Sequence, residues 1–301
     1  MIIKLIKWFS LSILLLMLLI FLYYTYLNIS FDTNTLPENH GKVDSKLFLG
    51  NGNNQPLIIG LGGSEGGNAW ASDYWKEQRD KYISQGYAFL AVGYFGMPGL
   101  PKQLDRISIE GVYQAIDDAA KHPNINPNCI SLIGGSKGAE LSLVLASKYP
   151  SIKTVIAIVP GHAVFASLTD LMSTSSFTFK DQPLEFVQVP WGALPSLIVG
   201  DLREAFEEVI KDTDAVKKAS IKVENINGPI LFLSATKDEL WPSTEMSNQM
   251  MQRLNENNFN YIHQHIAIDG DHASPLNHFD KIDKFLNDNF LKDSKTNCQR
   301  Q

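Results

Sequence analysis

Ser136, in the run Gly134-Gly135-Ser136-Lys137-Gly138, carries the signs of an activated nucleophile. The pattern is G-x-S-x-G, and it falls where an apolar run, residues 129–133, gives way to a helical pattern over 137–149. Glycines flanking the serine permit a sharp strand-to-helix turn without a Cβ clash, which holds the hydroxyl clear of its own helix. The same turn aims the Lys137 N–H at the place where an oxyanion would form. A serine hydroxyl is a weak nucleophile until a base takes its proton, and that base must be oriented by an acid. At elbows of this kind the chain order is nucleophile, acid, base. Asp238, in Thr236-Lys237-Asp238-Glu239-Leu240-Trp241-Pro242, and His272, in Gly270-Asp271-His272-Ala273, supply that order. The chemistry predicted is attack on a carbonyl through an acyl-enzyme.

Each partner has rivals. Glu239 stands next to Asp238, and Asp271 reads as a turn or salt-bridge residue. His263 and His265 fall inside a predicted strand and share one of its faces, while His278 opens the last helix as a cap or surface residue. His272 is set apart by its place after the final strand, in a glycine-containing turn downstream of both partners. A second oxyanion donor is expected in the loop after an early strand. Leu61-Gly62-Gly63-Ser64-Glu65-Gly66-Gly67 is that loop, with the backbone N–H of Ser64, then of Glu65, as the candidates. No metal and no cofactor is expected.

These residues need a scaffold that brings several strand ends together. Strands are predicted over 46–49, 56–61, 87–92, 129–133, 152–159, 229–234 and 261–268. Helices are predicted over 69–85, 107–120, 137–149, 243–254 and 279–290. Apolar runs alternating with amphipathic helices indicate a mostly parallel sheet covered on both faces, and catalytic groups gather at the carboxyl ends of such strands. Ser136, Asp238 and His272 each follow a different strand there. The fold expected is that of the α/β-hydrolases. The stretch between residues 159 and 229 lacks a clean strand but contains Trp191, several phenylalanines and an amphipathic helix around 202–211. It is predicted to be a lid, about 161–228, with apolar walls over the site.

The chain has 301 residues, 44% of them hydrophobic and 19% charged, enough for one large core. A net charge of −6 with no basic cluster speaks against nucleic-acid binding. The two cysteines, Cys129 in a predicted strand and Cys298 in a polar tail, have no metal spacing. No disulfide is expected between them, which leaves the redox compartment open. Residues 8–27 are almost wholly apolar, and twenty helical residues reach about 30 Å, the thickness of a bilayer core. Tyr23, Tyr24 and Tyr26 suit an interfacial belt where a cleavage site would need small residues. Lys4 and Lys7 precede the span and Asp32 and Glu38 follow it, which predicts a cytoplasmic N-terminus and an extracytoplasmic body. The organisation expected is a membrane anchor over 1–30, a linker over 31–44, the hydrolase domain over 45–292 and a polar tail over 293–301.

Several segments together resemble the acyl-CoA thioester hydrolase and bile acid-CoA:amino acid N-acyltransferase family, in its catalytic C-terminal domain. They are Tyr94-Phe95-Gly96-Met97-Pro98-Gly99-Leu100-Pro101-Lys102, the elbow with Lys137-Gly138-Ala139-Glu140-Leu141 after its serine, residues 219–230 before the acid strand, and Asp238 with Trp241-Pro242-Ser243. The resemblance covers roughly residues 45–290. It implies Ser136 as nucleophile, Asp238 as acid and His272 as base. Family members that transfer the acyl group to an amine look as though they carry cysteine at the nucleophile position, so serine implies water as the acceptor. The family's N-terminal β-sandwich domain finds no place between the span and the hydrolase segment. The expectation is a serine hydrolase acting on an acyl thioester or ester, anchored in a membrane by its N-terminal helix. The alternatives are an extracytoplasmic carboxylesterase or peptidase of the same fold, and a non-catalytic binding protein built on it.

Overall fold

The computed structural model describes residues 2–292 and Cys298. In chain order the elements are α1 (Ile2–Ser30), β1 (Asp44–Phe48), β2 (Gln55–Leu61), α2 (Lys76–Ser84), β3 (Ala88–Gly93), β4 (Ile107–Ser108), α3 (Ile109–Ala120), β5 (Ile125–Gly135) and α4 (Lys137–Lys148). They continue with β6 (Ile152–Ile158), β7 (Phe177–Phe179), β8 (Gln182–Pro183), α5 (Leu194–Val199), α6 (Leu202–Val209), α7 (Thr213–Ala219), β9 (Ile230–Ala235), α8 (Ser243–Glu256), β10 (His263–Ile268) and α9 (Phe279–Phe285).

Seven strands form the central sheet in the order β1-β3-β2-β5-β6-β9-β10. The edge strand β1 runs antiparallel to β3, and the remaining pairs are parallel. Side chains alternate across a strand, so β2 sends Leu57, Ile59 and Leu61 to one face and Ile58 to the other. The first face packs on α3, α4 and α8 through Val112, Ile116, Leu141, Leu145, Met250 and Leu254. The second packs on α2 and α9 through Tyr82, Ile282 and Phe285. Burial on both faces is why the central strands read as continuous apolar runs. At about 1.5–3 kcal/mol for each buried aliphatic side chain, these two layers dominate the stability of the sheet.

The region expected as one helix over 69–85 is broken into a short 3-10 turn, Ala69–Ala71, and α2. Trp70 turns into the core between Phe89 and Trp75, and the buried Arg79 donates to the Trp70 and Ser72 carbonyls where the helix would have continued. Ile107, expected in a helix, instead pairs with Phe177 in a small sheet of order β4-β7-β8. Ser108 then caps α3, its hydroxyl accepting from the Gly111 N–H at 3.2 Å.

One expectation is overturned. Cys129 and Cys298 are joined in a disulfide, with Cα atoms 5.5 Å apart across 169 residues of sequence. Beyond α9 the chain continues as a π-helical turn, Leu286–Leu291, that buries Phe290 and Leu291 in the same apolar layer as Cys129. Cys298 is seated in that same layer, fully buried. Residues 293–297 and 299–301 of the expected polar tail lie outside the described residues.

The helix α1 stands out from this body. Its stretch Lys4–Ile29 contains an 18-residue window with a mean hydropathy of 2.5, none of it buried in the protein, and is long and apolar enough to cross a membrane. Ser12, Thr25 and Asn28 bond back to the carbonyls of Trp8, Phe21 and Tyr24, so their polar groups are satisfied within the helix. The segment after it is docked rather than loose. Buried Arg106 donates to the carbonyls of Asp32, Thr33 and Thr35, pairs with Asp105, and lies under the Phe31 ring.

Candidate active site

β5 ends at Gly135, and Ser136 takes φ 53° and ψ −120° before α4 begins. That backbone is sparsely populated for a residue with a Cβ and costs about 1–3 kcal/mol, repaid by the surrounding packing. The Ser136 N–H donates to the Ile158 carbonyl at 2.8 Å, and its own carbonyl accepts from Ala139 and Glu140. Two motif glycines are dictated by contact: a Cβ on Gly134 would sit 2.2 Å from the Gly138 carbonyl oxygen, and one on Gly138 would sit 2.3 Å from that of Gly62. The elbow and the 62–67 loop therefore touch through backbone alone.

The first turn of α4 holds a buried ion pair, Lys137 Nζ to Glu140 Oε2 at 2.8 Å. Burial pushes the Lys137 ammonium down and the Glu140 carboxyl up, each shift opposed by the partner's charge. The second Glu140 oxygen accepts the Phe165 N–H at 3.1 Å, tying the elbow helix to the segment that follows β6. The Lys137 backbone N–H, at the first position of α4, has no partner within the helix.

Asp238 follows β9 and His272 follows β10. His272 Nδ1 lies 2.8 Å from Asp238 Oδ1, which also accepts the N–H groups of Leu240 (3.0 Å) and Trp241 (3.2 Å). The carboxylate is buried, and the bond fixes the Nδ1–H tautomer, leaving Nε2 as the basic nitrogen. Three neighbours hold this pair in place. Glu239 accepts the His272 N–H at 2.9 Å, Arg203 of α6 donates to the Asp238 carbonyl at 3.1 Å, and Trp241 donates its indole N–H to Val159 O at 3.1 Å. The Trp241 ring sits 6.2 Å from His272 and also meets Phe165, after β6, and Phe206, on α6.

Ser136 and His272 line one cavity of about 190 Å³, together with Gly62, Gly63, Ser64 and Glu65. The loop approaches the nucleophile closely, since a Cβ on Gly63 would meet Ser136 Cβ at 3.3 Å. Tyr94 donates its hydroxyl to Gly62 O at 2.6 Å. The Glu65 side chain folds back to accept the Gly63 N–H at 3.0 Å, so this residue brings a carboxylate as well as an amide to the cavity. The sequence offered only a glutamate two residues past a glycine pair as a sign of that bond.

The rivals have other work. The Glu239 carboxylate accepts the His272 backbone N–H, and Asp271 accepts from Ser274 in a local turn. His263 bonds Tyr261 O and Asn255, and His265 bonds Ser234 and Asn248. His278 occupies the N-cap position of α9 without a side-chain cap bond. The holding roles of Arg203 and Trp241 left no mark in the sequence, because each bonds a carbonyl distant along the chain, Asp238 O and Val159 O. Among the described residues no cluster of three or more His, Cys, Asp or Glu side chains could hold a metal ion.

Residues 107–272 match the family described as "BAAT / Acyl-CoA thioester hydrolase C terminal". Similar curated proteins include acyl-coenzyme A thioesterase 2, mitochondrial, of Mus musculus, 27% identical over 223 residues, covering 73% of this chain and 45% of that one. Acyl-coenzyme A amino acid N-acyltransferase 1 of Mus musculus is 28% identical over 226 residues, covering 71% and 47%. The chain thus spans about half the length of the curated relatives it matches. Among solved structures, the uncomplexed acylaminoacyl peptidase of Pyrococcus horikoshii superposes with a TM-score of 0.58 at 15% identity, over 84% of this chain and 40% of that one. A puromycin-hydrolyzing peptidase of Mycobacterium tuberculosis gives 0.52 at 14%, over 77% and 35%. These likenesses establish the α/β-hydrolase fold.

Proposed function

Since the chain belongs to the BAAT / acyl-CoA thioester hydrolase C-terminal family, we propose that it is a serine hydrolase cleaving acyl thioesters through Ser136, His272 and Asp238. The observation that carries this reading is the 2.8 Å His272–Asp238 bond at the rim of the cavity that Ser136 also lines.

Ser136 Oγ attacks the carbonyl carbon as His272 Nε2 accepts its proton. Asp238 holds the imidazole in register and stabilises the imidazolium that forms. The tetrahedral oxyanion is held by the N–H of Lys137 and by that of Ser64 or Glu65. Collapse expels the leaving group, which takes the proton from His272, and Ser136 is left acylated. Water, deprotonated by His272, then releases the free acid and restores the serine. Hydrolysis rather than transfer to an amine is supported by serine at the nucleophile position.

A second reading is an ester or amide substrate on the extracytoplasmic side. It is supported by α1, with lysines before its apolar core and acidic residues after it, and by the Cys129–Cys298 bond, since disulfides persist in oxidising compartments. On this reading the N-terminus is cytoplasmic and α1 crosses the membrane, with the residues beyond 44 outside and 161–228 forming the lid. Turnover of matched acyl-CoA, ester and aminoacyl amide substrates by the full chain, with Ser136→Ala as control, tests the function. Thioester cleavage lost in the variant is the expected result. Cleavage of amides with no thioester turnover would overturn the first reading in favour of the second.

A further inference from the structure

Three large apolar side chains of the lid are almost bare: Trp191 is 75% exposed, Ile198 82% and Val199 77%. They are not scattered. Leu194 and Ile198 are four residues apart on α5 and lie one turn above the other, with Trp191 on the 3-10 turn that leads into them. The opposite side of α5 is committed to the protein, because Leu197 packs on the lid cluster that contains Trp241 and Phe165. So α5 has an inner face bound to the site's own packing and an outer face that is bare at Ile198 and Val199 and borders α1 at Leu194.

The outer face continues directly onto α1. Trp191 meets the Tyr24 ring at 6.4 Å between centroids, and a groove of about 460 Å³ between the two elements is lined by Ile20, Tyr23, Tyr24 and Leu27 from one side and Trp191 and Leu194 from the other. These contacts fall within the apolar span, not beyond its end. The 26 residues of Lys4–Ile29 rise about 39 Å, whereas a hydrocarbon core is about 30 Å thick. The excess places Tyr23, Tyr24 and Tyr26 at the boundary between acyl chains and headgroups, where such rings settle. Anything touching Tyr24 lies at that depth. The attachment is fixed, because Arg106 grips the carbonyls of Asp32, Thr33 and Thr35 immediately after the helix.

We propose that the outer face of the lid, Trp191, Leu194, Ile198 and Val199, is a second membrane contact, seated in the headgroup layer of the bilayer that α1 crosses. The occupant is a lipid surface, because the exposed stripe is continuous with a helix that is almost wholly apolar from Trp8 to Leu27 and exposed along most of that length. The lid is thereby held at the membrane surface, with its inner aromatic cluster reaching His272, so an acyl chain resident in the bilayer lies beside the site. This inference rests on α1 spanning the membrane.

The test uses the full chain in phospholipid nanodiscs. The two natural cysteines are paired, so an introduced cysteine is the one thiol that takes an environment-sensitive fluorophore. Probes are placed singly by Ile198→Cys, by Leu15→Cys in the middle of α1, and by Asn257→Cys at the end of α8, on the amino-terminal edge of the sheet away from the lid. Lipids carrying a nitroxide near the headgroup end of the acyl chain are expected to quench the Ile198 probe at least several-fold more than the Asn257 probe. Lipids with the nitroxide at the bilayer centre are expected to quench the Leu15 probe. Equal, weak quenching at Ile198 and Asn257 with Leu15 strongly quenched would overturn the lid contact while leaving the span intact, as would a second copy of the chain covering this face. Loss of quenching at Leu15 would overturn the spanning helix, and the inference with it.

Discussion

His272 Nδ1 and Asp238 Oδ1 are 2.8 Å apart although they come from loops after different strands, and the same carboxylate oxygen also takes two backbone N–H groups from the loop that carries it. The acid is thus held from its own side before it holds the base. An amide in its place would present either a donor to Nδ1 or a weaker acceptor, and would favour the wrong tautomer. Asp238→Asn is expected to lower kcat by about 10³–10⁴-fold with KM little changed. Steady-state kinetics checks this, and a tenfold or smaller loss would remove Asp238 from the mechanism.

The Lys137–Glu140 pair is buried at the elbow, where each charge has given up its hydration for the other. Glu140→Ala leaves the Lys137 ammonium unpaired and frees the Phe165 N–H, and is expected to cost about 3–5 kcal/mol. The double variant Lys137→Met with Glu140→Leu is expected to recover most of that loss. Denaturant titrations of the single and double variants read both effects.

Burial lowers His162 to about 4, and neither ring nitrogen has a hydrogen-bond partner. The unfolded chain, with an ordinary imidazole, binds its proton near pH 6.5, so between pH 6.5 and 4 the unfolded state holds more protons than the folded one. Stability from this group is therefore full above pH 6.5 and is lost as pH falls towards 4, by on the order of 3 kcal/mol. His162→Phe is expected to flatten the acid limb of a Tm-against-pH curve relative to the parent.

Cys129 lies toward the amino end of β5, six residues before Gly135, so at about 3.3 Å per residue the disulfide is some 20 Å from the elbow. Cys298→Ser is expected to lower stability by about 2–4 kcal/mol while leaving kcat/KM unchanged below the melt. Thermal melts with and without reductant, alongside activity at low temperature, separate the two.

Much of this arrangement was legible because the central strands are buried on both faces and end in loops rich in glycine. The runs that became β2, β5, β6 and β9 are continuous in apolar character, and Ser136 and Asp238 sit just past two of them, whereas His272 follows the edge strand β10, whose HQHIAI run is of mixed character. What escaped notice depended on contacts distant in sequence. Nothing in the spacing of Cys129 and Cys298 announces a pairing across 169 residues. Trp70 interrupts the predicted helix because an aromatic stack with Trp75 and Phe89 outweighs helical periodicity. The Glu65 carboxylate was invisible because its bond to the Gly63 N–H depends on the turn of the loop, which the run of residue types does not announce.

The central claim is that Ser136 is the nucleophile, and a fluorophosphonate adduct tests it most directly. Intact-mass and peptide mapping of the labelled full chain should place one adduct on the peptide bearing Ser136, and Ser136→Ala should carry none. Equal labelling of the variant, or an adduct mapped to another residue, would contradict the account.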